Sequence, residues 1–157
     1  MNAPTNPKEL ELQTVEFKLD GKTIVSYEGE TILKAAKRHG IDIPHLCFKD
    51  GYRPDGNCRA CVVEINGERT LAPSCCRSAT PGMEVKANSE RALKSQKLVL
   101  EMLLSDMPDE GFKWVGDSKE EEQKNQHGEL STWAARMDVT VRPELKAIRR
   151  EKVSSDV

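Results

Sequence analysis

Cys47, Cys58, Cys61 and Cys75 are separated by ten, two and thirteen residues, and Cys76 follows directly; the chain has no other cysteine. Thiolate is a soft ligand, and several thiolates drawn into one loop system can hold a metal centre. Cys58 and Cys61 are spaced so that the chain can fold back and bring both to one metal ion. Cys47 reaches the same place across a loop in which Gly51 and Gly56 allow close backbone approach. Cys75 arrives from further along the chain. A [2Fe–2S] cluster takes four such ligands, two on each iron, and is the leading reading.

Three other readings compete. Structural zinc also takes four thiolates, but usually from two paired CxxC knuckles, and only one pair is present. A thioredoxin-type CxxC should open a helix, whereas Cys61 leads into Val62-Val63-Glu64-Ile65, a strand-like run. Unrelated structural cysteines do not usually gather within thirty residues. The spacing also differs from the C-x4-C-x2-C of plant-type ferredoxins.

The elements that must position these cysteines follow from the chain on either side. Residues 1–12 read as a flexible leader. Thr14–Leu19 alternates polar and apolar, Asp20-Gly21 signals a tight turn, and Lys22–Tyr27 is the partner strand. Thr31 is placed to cap a helix from Ile32 to His39, and Gly40 to stop it. Residues 41–60 form an irregular loop. Cys61–Ile65, the Asn66-Gly67 turn and Glu68–Ala72 predict a second hairpin, and Met83–Ala87 a last short strand after Pro81-Gly82. Residues 13–87 therefore make a small α+β domain.

Residues 88–157 read as a helical extension. Asn88 or Ser89 caps a helix to Asp106 along which Leu93, Lys97, Leu100 and Leu104 are spaced; Pro108 ends the pattern. Residues 109–129 are charged and expected to be mobile. Short helices are expected near Leu130–Met137 and Pro143–Lys152. The long helix carries more leucine than the small domain can bury, which points to a docking face.

Composition narrows the function classes. Of 157 residues, 37% are hydrophobic and 4% aromatic, so the core is aliphatic and modest. The net charge of −2 provides no basic footprint for nucleic acid. No apolar run is long enough to insert in a membrane. The N-terminus lacks a secretory pattern, so a cytoplasmic location with reduced thiols is expected. Neither a GxGxxG loop nor a nucleophile–base pair occurs, and His39, His45 and His127 each stand alone. His39 reads as a surface charge and His45 as a loop-packing or shielding residue. Phe48 and Tyr52 are candidate shields, and Arg59, between two cysteines, is a candidate modulator of redox potential.

His45-Leu46-Cys47, Arg53–Ile65, Pro73-Ser74-Cys75 and Pro81–Val85 together resemble the N-terminal [2Fe–2S] domain of a large electron-transfer family. That family includes the large iron–sulfur subunit of NADH dehydrogenase, diaphorase subunits of NAD-linked hydrogenases, and the alpha subunit of NAD-dependent molybdenum formate dehydrogenase. Met107–Gly116 and His127–Trp133 look most like the formate dehydrogenase subunit. The resemblance implies a β-grasp, ferredoxin-like fold over 13–87, one [2Fe–2S] cluster held by Cys47, Cys58, Cys61 and Cys75, and no catalytic residue in the chain itself. It implies an electron-transfer module of NAD-dependent formate dehydrogenase, partnered by other subunits or domains of a molybdopterin and flavin oxidoreductase. The alternative is the corresponding piece of an NADH dehydrogenase or NAD-linked hydrogenase; outside this class stands a zinc-stabilised interaction domain. Cys76 is expected to be a buried spare thiol. Met107-Pro108 replaces the His-Pro of relatives with a further [4Fe–4S] cluster, and no cysteine follows Cys76 to build one. An N-terminal portion or a stand-alone docking relative is therefore expected.

Overall fold

The computed structural model describes residues 13–107 and 128–148. Strands β1 (Thr14–Leu19) and β2 (Lys22–Tyr27) pair antiparallel in full register from Thr14↔Tyr27 to Leu19↔Lys22. Asp20 and Gly21 turn between them at φ 50° and 81°, the left-handed conformation that a two-residue hairpin needs. The Asp20 carboxylate also accepts from the backbone N–H groups of Ala87 and Asn88, 2.8 and 3.2 Å away. This hairpin turn is thus tied to the end of the last strand described, at Ala87 and Asn88.

Helix α1 (Ile32–Arg38) starts where Thr31 Oγ1 accepts from the N–H of Lys34, and Gly40 follows its end at φ 72°. It buries Ile32, Leu33, Ala35 and Ala36 against Phe17, Leu19, Ile24, Val63, Ile65 and Val85. Strands β3 (Val62–Ile65), β4 (Ala72–Pro73) and β5 (Glu84–Lys86) complete a mixed sheet of order β2-β1-β5-β3-β4. β5 lies parallel to β1 and antiparallel to β3. This is an α+β, ferredoxin-like arrangement: one helix across a small mixed sheet, with the irregular loop 41–60 at its side.

The second hairpin differs from the sequence expectation. Its return strand is Ala72–Pro73 rather than Glu68–Ala72. Glu68 closes a turn onto the Ile65 carbonyl, which turns the chain away before it can continue the ladder. Pro73, lacking an N–H, sits in the edge strand.

Helix α2 (Glu90–Ser105) is capped by Ser89, whose hydroxyl accepts from Ala92 N–H. Of the expected Leu93, Lys97, Leu100 and Leu104, Leu100 is buried and Lys97 exposed; the buried face runs through Ala92, Gln96 and Leu100. The reason is Gln96, whose amide donates to the carbonyls of Val62 (2.8 Å) and Ala87 (3.2 Å). A buried glutamine in this role satisfies two backbone acceptors where the helix crosses β3. Helices α3 (Glu129–Arg136) and α4 (Pro143–Ala147) pack against α2. The charged segment expected at 109–129 lies almost wholly outside the described residues, as do Pro108, His127 and the leader 1–12.

Candidate iron–sulfur centre

Three stretches meet at the cysteines. Cys47 and Cys58 come from the loop, Cys61 from the residue before β3, and Cys75 from the turn after β4. The β3 side is fixed by Ser74, fully buried, whose hydroxyl donates to the Cys61 carbonyl at 2.7 Å while its N–H reaches the same oxygen at 3.1 Å. The Ser74 carbonyl in turn accepts from Leu33 N–H, which links α1 to the turn carrying Cys75. Sequence reasoning missed this role of Ser74; its position between Pro73 and Cys75 was the available signal.

The thiols of Cys47 and Cys58 lie close enough to shift each other's acidity, as Cys61 and Cys76 do that of Cys75. Each half of the CxxC thus has a cysteine outside the motif among its neighbours. Between them Arg59 adopts φ 59°, and Cys61 is held at the start of β3 by its carbonyl's bond to the Ser74 N–H.

Backbone donors single out the loop pair. Burial raises the Cys47 thiol, but N–H groups of Cys58, Asn57 and Gly56 and the Cys58 thiol outweigh it and hold Cys47 below the ordinary thiol range. For Cys58, burial prevails and raises the thiol, opposed by the N–H groups of Ala60, Cys47 and Leu46. Burial, together with the neighbouring Cys61 and Cys76, pushes Cys75 far upward. A buried thiol of this kind is stable as a thiolate only when bound to a cation.

These residues fit a [2Fe–2S] cluster. Four cysteine thiols drawn from neighbouring stretches are the soft donor set that such a cluster takes. N–H groups are aimed at the sulfurs of the loop pair, the donors that favour a more negative centre. Gly56 supplies the close approach: a Cβ there would lie 2.8 Å from Cys76 Sγ, and its φ is 66°.

The surrounding residues divide less evenly. Cys76 is exposed, which corrects the expectation of a buried thiol; its sulfur lies 3.5 Å from that of Cys75 and 3.9 Å from the Pro54 carbonyl oxygen. Phe48 is buried, whereas Tyr52 is 72% exposed and shields nothing. His45 packs in the loop, its Nδ1 2.8 Å from the Ile43 carbonyl and its ring against Phe48 and Trp133. His39 is at the surface with Nε2 2.8 Å from the Val25 carbonyl, and Arg59 is exposed.

Residues 13–90 match the family described as "2Fe-2S iron-sulfur cluster binding domain". This stretch is a [2Fe–2S] domain. Over 95 residues, 57% of this chain and 16% of the relative, the sequence is 50% identical to a subunit of the NADP-reducing hydrogenase of Solidesulfovibrio fructosivorans. Over 94 residues, 60% of this chain and 11% of the relative, it is 36% identical to an NADH-quinone oxidoreductase polypeptide of Rhizobium meliloti. The chain therefore spans only a small part of the curated relatives it matches. A crystal structure of an NAD+-reducing [NiFe]-hydrogenase in the H2-reduced state superposes with a TM-score of 0.65 at 32% identity. It covers 81% of this chain and 50% of the hydrogenase chain. That coverage exceeds the span 13–90, so the likeness extends beyond the matched domain.

Proposed function

We propose that this chain carries one [2Fe–2S] cluster on Cys47, Cys58, Cys61 and Cys75 and serves as an electron relay within a larger NAD(P)-linked oxidoreductase. The observation that carries the proposal is four cysteines spaced by ten, two and thirteen residues inside a stretch that matches a cluster-binding domain. When bound, the cluster supplies one-electron transfer. The chain's own residues do the rest: Cys47 and Cys58 hold one side with backbone N–H groups on their sulfurs, while β3 and the Ser74 turn hold the other. Phe48 and the core face of α1 close the apolar side.

The hydrogenase and NADH dehydrogenase relatives favour a complex of that kind over the formate dehydrogenase indicated by the wording of 107–116 and 127–133. A partner polypeptide bearing flavin or a second metal centre is part of the proposal. Leu98, Met102 and Leu103 of α2, all exposed, support it. No helix among the described residues is long and apolar enough to cross a membrane, and the assignment to the cytoplasm rests on the sequence.

Single Cys→Ala variants, reconstituted without air with iron and sulfide, test the ligand set. Cys47, Cys58, Cys61 and Cys75 variants are expected to lose the visible absorption of the cluster, and Cys76→Ala to keep it. A fully loaded Cys58→Ala would overturn the assignment. Affinity purification from native cells, with the co-purifying subunits identified, tests the partner: a formate-oxidising molybdenum subunit in place of a hydrogenase or NADH dehydrogenase subunit would reverse the choice between complexes.

A further inference from the structure

The loop that carries Cys47 has no secondary structure of its own, and its outer wall comes from beyond the matched domain. His45 stands edge-on to Phe48, centroids 5.8 Å apart at 77°, and tilted against Trp133 of α3, also 5.8 Å away at 60°. The guanidinium of Arg136, one turn along α3, lies 4.4 Å from the Trp133 ring centre. The same side chain donates to Asp42 Oδ2 at 2.8 Å. One helix therefore grips the loop at Asp42 and His45, both within five residues of Cys47. Ala134, buried between them in sequence, and the contact of α3 with α2 anchor that helix.

We propose that Trp133 is a positioning residue for the cluster loop, locked by the Arg136–Asp42 ion pair. It holds His45 and Phe48 in place, keeps the Cys47 sulfur under the N–H groups of 56–58, and limits water at that side of the centre. The physical basis is that groups one layer out from a metal fix the orientation of its ligands, and their loss typically weakens metal retention by about 10- to 100-fold. An exposed surface ion pair alone contributes little; here it matters because the cation also stacks on the indole that touches the loop. The inference rests on Cys47 being a ligand.

The test uses the full chain, reconstituted with iron and sulfide, in three forms: wild type, Trp133→Ala and Trp133→Phe. Two readouts are taken, the rate of iron release to a chelator and the midpoint potential. Trp133→Ala is expected to release iron about tenfold faster and to shift the potential positive, because water stabilises the more negative reduced centre; Trp133→Phe is expected to restore most of both. Arg136→Gln and Asp42→Asn change surface groups only and are expected to speed release by a smaller factor. Unchanged release and potential in Trp133→Ala, or, should that variant misfold, unchanged release in both surface variants, overturns the inference. A Cys47→Ala chain that still holds a full cluster would instead refute the ligand assignment, so the two failures are distinguishable.

Discussion

Gly56 and Ser74 show how much of the site depends on single atoms. At Gly56 a side chain meets two obstacles, a φ of 66° and the Cys76 sulfur 2.8 Å from the new Cβ. Gly56→Ala is therefore expected to destabilise the chain by about 1–3 kcal/mol in chemical denaturation. Adding Cys76→Ala should recover the steric part and leave the backbone part. Equal stability of the single variant and wild type would show that the loop can move away at no cost. Ser74→Ala removes the 2.7 Å bond to the Cys61 carbonyl in a fully buried place. A loss of about 1–2 kcal/mol is expected, because one acceptor keeps a single donor and the hydroxyl is not replaced. The cysteines themselves were legible from spacing and residue type. The brace at Ser74 was not, since its bond to the Cys61 carbonyl joins residues thirteen apart. Nor was the exposure of Cys76, which follows from the turn that closes onto the Pro73 carbonyl.

Among the elements, the junction of β2 and α1 carries a carboxylate whose protonation matters. Burial opposes ionisation of Glu30, but hydrogen bonds from Arg38 and from the Tyr27 N–H prevail and hold its carboxyl below the usual range. Arg38 also donates to the Val25 carbonyl and stacks on Tyr27. A carboxyl lowered in the folded state stabilises the fold above its unfolded pKa, about 4.3, and that contribution is lost as pH falls toward and through the folded value. Glu30→Gln should accordingly cost about 1 kcal/mol at neutral pH. The gap to wild type, measured by denaturation, should close as the pH is taken into the acid range; a gap independent of pH would contradict this origin.

Gln96→Leu tests the other junction. It leaves the carbonyls of Val62 and Ala87 without their side-chain donor, and a cost of about 2–3 kcal/mol is expected in the same assay. The first hairpin, α1, β5 and the start of α2 lay open in the sequence because alternation, Asp-Gly and Pro-Gly turns, and Thr or Ser caps are local signals. The face of α2 did so only at Leu100, because its central buried residue, Gln96, is polar. The shortened β4 was equally hidden, since the turn that Glu68 closes onto the Ile65 carbonyl interrupts a run whose residues suit a strand.

For the molecule as a whole, the described residues form two layers of responsibility. The sheet and α1 bring four thiols to one side, and helices from beyond residue 90 brace the loop that bears two of them. Neither the Trp133–His45 contact nor the Arg136–Asp42 pair could be read from sequence, because about ninety residues separate the partners. The structural likeness to a hydrogenase chain covers 81% of this chain, more than the matched domain alone. The most direct measurement is iron, acid-labile sulfide and electron paramagnetic resonance on the full chain, reconstituted anaerobically and reduced. About two irons and two sulfides per chain, with a low-temperature signal from half-integer spin on reduction, are expected for one [2Fe–2S] centre. A colourless chain that retains a single zinc and gives no such signal would contradict the account.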